Sequence, residues 1–438
     1  MHRYVTIMQK INYVLFILVV FLLPFPQIFL RYTIVAWGVS WLLEGRWLRK
    51  PQPNSFLVPC ILFAVWFAWE AVSTLWAGAP ALTGAELERH LAIPMLLPVA
   101  LWGVNEHYDL RMTRRVLMYG CLAAVPVYFF TMFWVYNHAC IEQASEHLVA
   151  QWMPIGFFEG NVSAIKHRLF LSSVEMVGII AVCHRRKELC ARYGVVEGWL
   201  LTVAAVVTMA TLVIASGSRA SLFTGIVLIA IALIEHTPVR WRMLGTMITL
   251  VIGVVMSICI VEWHPRMQSF EWEHLKLNQL DADRNARLNI WSMALDRPKD
   301  YLWHGVGAGN STTYLQQRYA EHGYTTYILK SYNSHNQYLT ELLELGIFGL
   351  VLFCVAWLSL LYFPKKGKPR QAAAYLTAIY MLNMLTDNMF GRFDGLALYC
   401  ACLLICMLYE RIELPLVADG GRLAVAGVDN HIVGQTHQ

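Results

Sequence analysis

Apolar residues run along this chain in long uninterrupted blocks, with little of the two- or three-to-four-residue alternation of a soluble fold. A helix that crosses a bilayer needs about 20 mostly apolar residues. Twelve blocks approach that length, near 9–25, 28–44, 54–76, 90–105, 114–136, 168–184, 197–216, 219–235, 241–262, 338–362, 371–390 and 394–411. The stretch 197–235 is too long for one crossing, so it predicts two helices turning through Ser216-Gly217-Ser218-Arg219. The expected fold is an all-α, polytopic integral membrane protein with about 12 spans. Residues 1–262 carry spans one to nine, 263–337 a long external loop, 338–412 spans ten to twelve, and 413–438 a polar, disordered tail.

Composition agrees: 57% of the 438 residues are hydrophobic and 14% charged, against about 25% charged in soluble domains. That balance excludes a disordered, fibrous or nucleic-acid-binding protein and an ordinary soluble enzyme. The ten cysteines lie almost entirely within the apolar blocks, and no CxxC pair occurs. Neither a disulfide framework nor a thiolate zinc site is expected. No small-residue cleavage pattern follows the first block, which reads as a retained helix. With the N-terminus inside, 20 of the 34 lysines and arginines fall on cytoplasmic segments, and the short external loops hold only Arg31, Arg89, Arg219 and Arg392. The positive-inside tendency then sets both termini in the cytoplasm. The first external loop of note is 137–167, and the second, 263–337, is long enough to form surface helices.

Candidate chemistry collects at the external boundary. Arg219 opens the eighth predicted span behind Ser218, a good N-cap. A guanidinium beside a helix N-terminus suits phosphate; the same residue can instead snorkel to lipid headgroups. In Asp281-Ala282-Asp283-Arg284-Asn285-Ala286-Arg287, a helix puts Arg284 and Arg287 on one face with Trp291 one turn on. Such a pair can clamp a diphosphate while the indole packs on a sugar, or it can form local bridges to Asp281 and Asp283. Asp281-x-Asp283 also matches the short DxD pattern of metal-dependent sugar transferases, a match of little specificity. We read the site as free of metal and of cofactor.

His304-Gly305-Val306-Gly307-Ala308-Gly309-Asn310 can pass for a phosphate-cradling loop, though no strand precedes it. Asn333-Ser334-His335-Asn336-Gln337 enters the tenth predicted span. A neutral imidazole at His335 can take a proton from a hydroxyl nucleophile, or serve only as an interfacial cap. Lys166, His167 and Arg168 open the sixth predicted span and can bind phosphate or anchor to headgroups. Glu175 falls near mid-membrane and Asp387 near an external end, and ionisable groups in spans are functional candidates. Asp387 can orient His335 or pair with Arg392. Arg89, beside Glu86 and Glu88, reads as a structural pair.

Ser216-Gly217-Ser218-Arg219, Arg287-x-x-x-Trp291, His304-Gly305-x-Gly307-x-Gly309 and Ser334-His335-Asn336-x-x-Leu339, in this order around one long external loop, resemble the O-antigen ligase and polymerase superfamily of bacterial inner-membrane glycosyltransferases. The resemblance covers about residues 197–390. It implies an inverting, metal-independent transferase of the GT-C type at the periplasmic face. The donor would be an undecaprenyl-pyrophosphate-linked glycan and the acceptor lipid A–core oligosaccharide, with membrane lipids around both. Arg219 and Arg287 would hold the pyrophosphate and His335 the catalytic centre; Arg284 joins them by helical spacing alone, and Asn336 flanks the histidine. An O-antigen polymerase and a protein O-oligosaccharyltransferase remain open within the class. A lipid-linked-oligosaccharide flippase is the rival from outside it, and cations at the boundary instead of the midplane weigh against it.

Overall fold

The computed structural model describes residues 2–142, 166–236 and 286–413, together with Leu244, Met247 and Val251. Among these residues every regular element is helical, and the chain is a multi-pass membrane protein. Helices α1 (His2–Leu22) and α2 (Gln27–Leu43) pair across the short turn ending at Pro26, and α3 (Leu57–Val72) follows. Then come α4 (Pro80–His90), α5 (Leu96–Trp102), α6 (Leu110–Glu142), α7 (Arg168–Tyr193), α8 (Val195–Ala215) and α9 (Arg219–His236). Gly194 turns α7 directly into α8, and the two helices lie close along one another. Gly198 permits this approach, since a Cβ there would come within 2.5 Å of the Cys190 backbone.

Among the described residues, six helical segments are long and apolar enough to cross a membrane: Tyr4–Leu22, Leu57–Leu75, Leu110–Trp134, Val195–Ala215, Gln337–Tyr362 and Phe393–Glu410. The block 90–105 does not form the predicted span. Pro94 and Pro98 remove backbone donors there, and the chain divides into α4 and the 7-residue α5. A helix that short rises only about 10 Å, a third of a bilayer core. Apart from Leu244, Met247 and Val251, the predicted span 241–262 lies outside the described residues, as do residues 143–165 and 263–285 of the two predicted loops and the tail from 414.

The segment from 286 folds into a cap of three short helices, α10 (Ala286–Leu295), α11 (Ser311–Glu321) and α12 (Thr325–Leu329). It has its own small core, Ile290, Met293, Tyr301, Leu315, Tyr319 and Tyr327, which docks on Leu339 and Leu343. Arg318 is buried there between Asp296 and Glu321. The cap leads into α13 (Gln337–Tyr362), followed by α14 (Lys368–Met384) and α15 (Phe393–Glu413). Inside the bundle the rings of Phe63, Trp66, Phe353, Trp357, Tyr380 and Tyr399 surround Phe390. In lipid, close van der Waals packing of this kind holds helices together more than water exclusion does.

α13 breaks at Gly346, whose φ of 68° and ψ of −169° are non-helical. The break frees carbonyls, and the glycine-rich loop takes them: Val306 N–H donates to Leu343 O at 2.8 Å and Gly307 N–H to Glu344 O at 2.9 Å. Ala308 N–H donates to Ser73 Oγ at 3.0 Å. The loop's amides are thus spent on the fold, which corrects the reading of residues 304–310 as a phosphate cradle. Its glycines are there for contact: a Cβ on Gly305 would sit 2.1 Å from Glu344 O.

Candidate active site

The turn before α13 and the turn after α14 meet at the cap end of the bundle. Asn336 caps α13, accepting from Leu339 N–H at 3.1 Å, and its amide donates to Leu385 O at 3.3 Å. Asn388 Oδ1 accepts from Thr340 Oγ1 at 3.1 Å, and Gln337 Oε1 accepts from Phe390 N–H at 2.9 Å. Asn336 is therefore a structural clasp as well as a neighbour of His335. These bonds fix His335 against Asp387, with Nδ1 3.8 Å from Oδ1, longer than a hydrogen bond. His335 adopts φ 47°, a left-handed conformation uncommon outside glycine, and its N–H is steadied by Asn333 Oδ1 at 3.0 Å. A strain of this kind, about 1–3 kcal/mol, persists only where surrounding bonds over-determine it.

A second histidine reaches the same carboxylate from the other side. His167, the residue before α7, holds Nε2 3.7 Å from Asp387 Oδ2. Burial disfavours the Asp387 charge, yet the facing His335 and His167 and the Asn388 amide hold its pKa down to about 2. Burial pushes the His167 imidazole below its ordinary value; Asp387 opposes that, while Arg392 and His335 add to it. Arg287 is exposed on α10 and belongs to the same group: crowding works against its charge and Asp387 supports it. Trp291 Nε1–H donates to Ser334 O at 2.8 Å, tying α10 to the residue before His335. The indole is thereby a strut that brings Arg287 over the histidine turn.

The remaining predicted residues divide. The backbone of Arg219 opens α9 behind Ser218, whose Oγ lies 3.4 Å from Ser221 N; the Arg219 side chain lies outside what is described. Ser216 Oγ meets Ser172 Oγ at 2.7 Å, and Thr224 reaches Asn383 at 3.5 Å, so this hairpin lies at the same end as His167 and Asp387. Arg168 is half-buried at the first position of α7. Lys166 is buried and engaged, donating to Asp394 at 2.9 Å and to the carbonyls of Leu23 and Phe25. Held so, it anchors the α1–α2 turn and is not presented to a phosphate. Glu175 is fully buried and neither carboxyl oxygen has a hydrogen-bond partner. Arg284, Asp281 and Asp283 lie outside the described residues. No group of three His, Cys, Asp or Glu among the described residues is arranged to hold a metal ion.

Two features escaped sequence reasoning. Arg31, Arg89 and Arg392 head a groove of about 760 Å³ whose wall includes Val35, Leu42 and Met95. Those three apolar residues are exposed, so the groove opens toward lipid. The second is a polar cavity of about 360 Å³ on the far side of the same turns, lined by Glu70, Glu86, Glu341 and Glu344 with Arg89 and His90. Its signal was available: carboxylates within apolar blocks, at Glu70, Glu341 and Glu344.

Arginine, two histidines and one carboxylate at a membrane boundary can stabilise an anion and exchange a proton side by side. An imidazole proton on Nδ1 facing Asp387 leaves Nε2 as an acceptor. Residues 204–354 match the sequence model of the O-antigen ligase family. That segment runs from α8 through the cap into α13 and contains Arg219, Arg287 and His335. No curated protein matches the chain.

Proposed function

Because the chain, through residues 204–354, belongs to the O-antigen ligase superfamily, we propose that it is a glycosyltransferase ligating glycan from a polyprenyl diphosphate, undecaprenyl in bacteria, onto lipid A–core oligosaccharide. The observation that carries this reading is the convergence of Arg287, His335 and His167 on Asp387 at one boundary. In the proposed step a sugar hydroxyl of the acceptor attacks the donor's anomeric carbon and its proton passes to His335 Nε2. The anomeric C–O bond breaks and the electron pair leaves on the diphosphate. Arg287 and Arg219 meet the charge as it grows, which is where preorganised donors lower a barrier most. Attack opposite the leaving group inverts the anomeric centre. Asp387 orients His335 and steadies the imidazolium formed in the step.

Diphosphate is a good leaving group once its charge is held, so arginines can fill the role a cation has in other transferases. The groove beneath Arg392 has the composition for a polyisoprenyl tail under an anionic head. The reading has both termini in the cytoplasm of a bacterial inner membrane and the cap in the periplasm. Cysteine labelling at Thr313 should therefore succeed from outside and at Lys366 only from the cytoplasm; the reverse would invert the site and end the proposal. Purified protein given lipid-linked glycan with either lipid A–core or a second lipid-linked glycan tests the reaction. Transfer to lipid A–core in EDTA is expected; transfer only to the second lipid-linked glycan would make it a polymerase. Loss on chelation with recovery in Mg²⁺ would restore Asp281 and Asp283 as ligands.

A further inference from the structure

The polar cavity behind the histidine turn has the build of a ligand site. It lies between α3, α4, the start of α11 and the first half of α13, and its volume of about 360 Å³ falls in the range of small-molecule pockets. Asn333 and Asn388 belong to its wall, and they neighbour His335 and Asp387 in sequence, so it abuts the reacting centre. Most of its carboxyl groups are held. Glu341 accepts from Trp66 Nε1 at 2.9 Å and Gln337 Nε2 at 2.8 Å, Glu344 accepts from Ser311, and Glu86 pairs with Arg89.

Glu70 is the exception. It is 1% exposed, its Oε1 lies 2.7 Å from His90 Nδ1, and its Oε2 is buried with no hydrogen-bond partner. A buried carboxyl oxygen left unsatisfied costs about 1–3 kcal/mol or more, which a ligand donor would remove. His90 Nε2 cannot serve the cavity as an acceptor, because it faces the Phe390 carbonyl at 3.2 Å. The walls therefore offer mainly carboxyl and amide acceptors, with Arg89 and the hydroxyls of Thr312 and Thr313 at hand. Acceptor oxygens outnumber donors on this wall, so an acceptor-only anion finds few partners there.

We propose that this cavity is a saccharide subsite that takes an uncharged or amino-bearing sugar, the one next to the bond being made, and rejects acidic and phosphorylated sugars. This rests on the transferase reading for its role, but its binding chemistry does not. Hydroxyl and ammonium hydrogens would meet Glu70 Oε2, while the diphosphate stays with Arg287.

The test is saturation-transfer NMR on the purified full-length chain with glucose and glucosamine, against glucuronic acid and glucose 1-phosphate. Glucose and glucosamine should give signal and the anionic sugars at least about tenfold less, as expected where unmatched acceptor atoms cost about 1.4 kcal/mol. Thr312→Trp, at a half-buried wall position, should abolish the signal with unchanged melting. Glu70→Gln, which turns an acceptor into a donor, should weaken glucosamine more than glucose. Equal or stronger signal from the anionic sugars, or full signal in Thr312→Trp, overturns the proposal. Displacement of glucosamine by delipidated core oligosaccharide or by free donor glycan supports it and names the substrate; displacement by neither overturns it. Sugar binding without transfer would sink the transferase reading alone, and transfer without sugar binding would sink the subsite alone.

Discussion

Two polar centres share the turns at 333–340 and 385–391, and their balance of bases to carboxyl groups is inverted. On one side His167, Arg287, His335 and Arg392 gather about a single carboxylate, Asp387. On the other, Glu70, Glu86, Glu341 and Glu344 gather about His90 and Arg89. The first centre suits a group whose negative charge grows during reaction, the second a partner rich in hydrogen-bond donors. The fold separates them with the same few residues, Ser334, Thr340 and Asn388, whose hydroxyls and amide bond one another. A base-rich face and an acceptor-rich face on one thin wall would orient a substrate that is anionic at one end and neutral at the other.

The sharpest way to break this comparison is to remove charge from the cationic side. Arg287→Ala should slow transfer about 10²–10³-fold, the usual effect of losing one preorganised donor. Lys should restore part of it, lacking the bidentate fork, while sugar binding in the acidic cavity stays unchanged. A rate measured at or near wild type would remove Arg287 from the centre. On the acidic side, Gly305→Ala should strain a backbone at φ 75° and press on Glu344 O. Left-handed strain alone costs about 1–3 kcal/mol, so melting should fall and the cavity's ligand signal should go with it. An unaltered melting temperature would contradict the packing described for the loop.

The smallest effect is on pH dependence. The folded His167 has a pKa below its ordinary 6.5, so just under pH 6.5 the unfolded chain binds more protons there. Stability should rise with pH through that window, and His167→Gln should flatten it. Asp387 has the opposite origin and the same slope at lower pH: held down to about 2 from 3.8, it contributes stability above 3.8 that is lost as pH falls through 2. Asp387→Asn should flatten that lower arm. Stability curves for the two variants that match wild type would show that neither pairing matters.

Much of the frame was legible in the hydropathy, because a bilayer demands long apolar helices whatever the tertiary contacts. The failure at 90–105 came from two prolines, which hydropathy counts as neutral but the backbone does not. His335 and Asp387 stood out singly as ionisable groups at span ends, and Arg287 as one of two arginines on a helix of the long loop. Their meeting with His167, more than 200 positions from Asp387 in sequence, depends on helix packing that no local pattern encodes. Lys166 and the glycine loop misled for one reason: a cation and a run of amides look available in sequence, and the fold had already engaged both, with Asp394 and with the broken α13. The acidic cavity was missed because its carboxyl groups arrive on three helices, Glu70 on α3, Glu86 on α4 and Glu341 with Glu344 on α13, which only the packing brings together.

The central claim is that Arg287 serves the donor diphosphate and His335 the acceptor hydroxyl. Donor affinity and transfer rate, measured together on His335→Ala and Arg287→Ala with expression and melting matched, test it most directly. The account predicts that His335→Ala binds lipid-linked glycan nearly as wild type and transfers none, while Arg287→Ala is impaired in both. Transfer by His335→Ala at near wild-type rate would contradict it and move the base elsewhere, Asp387 being the next group in reach.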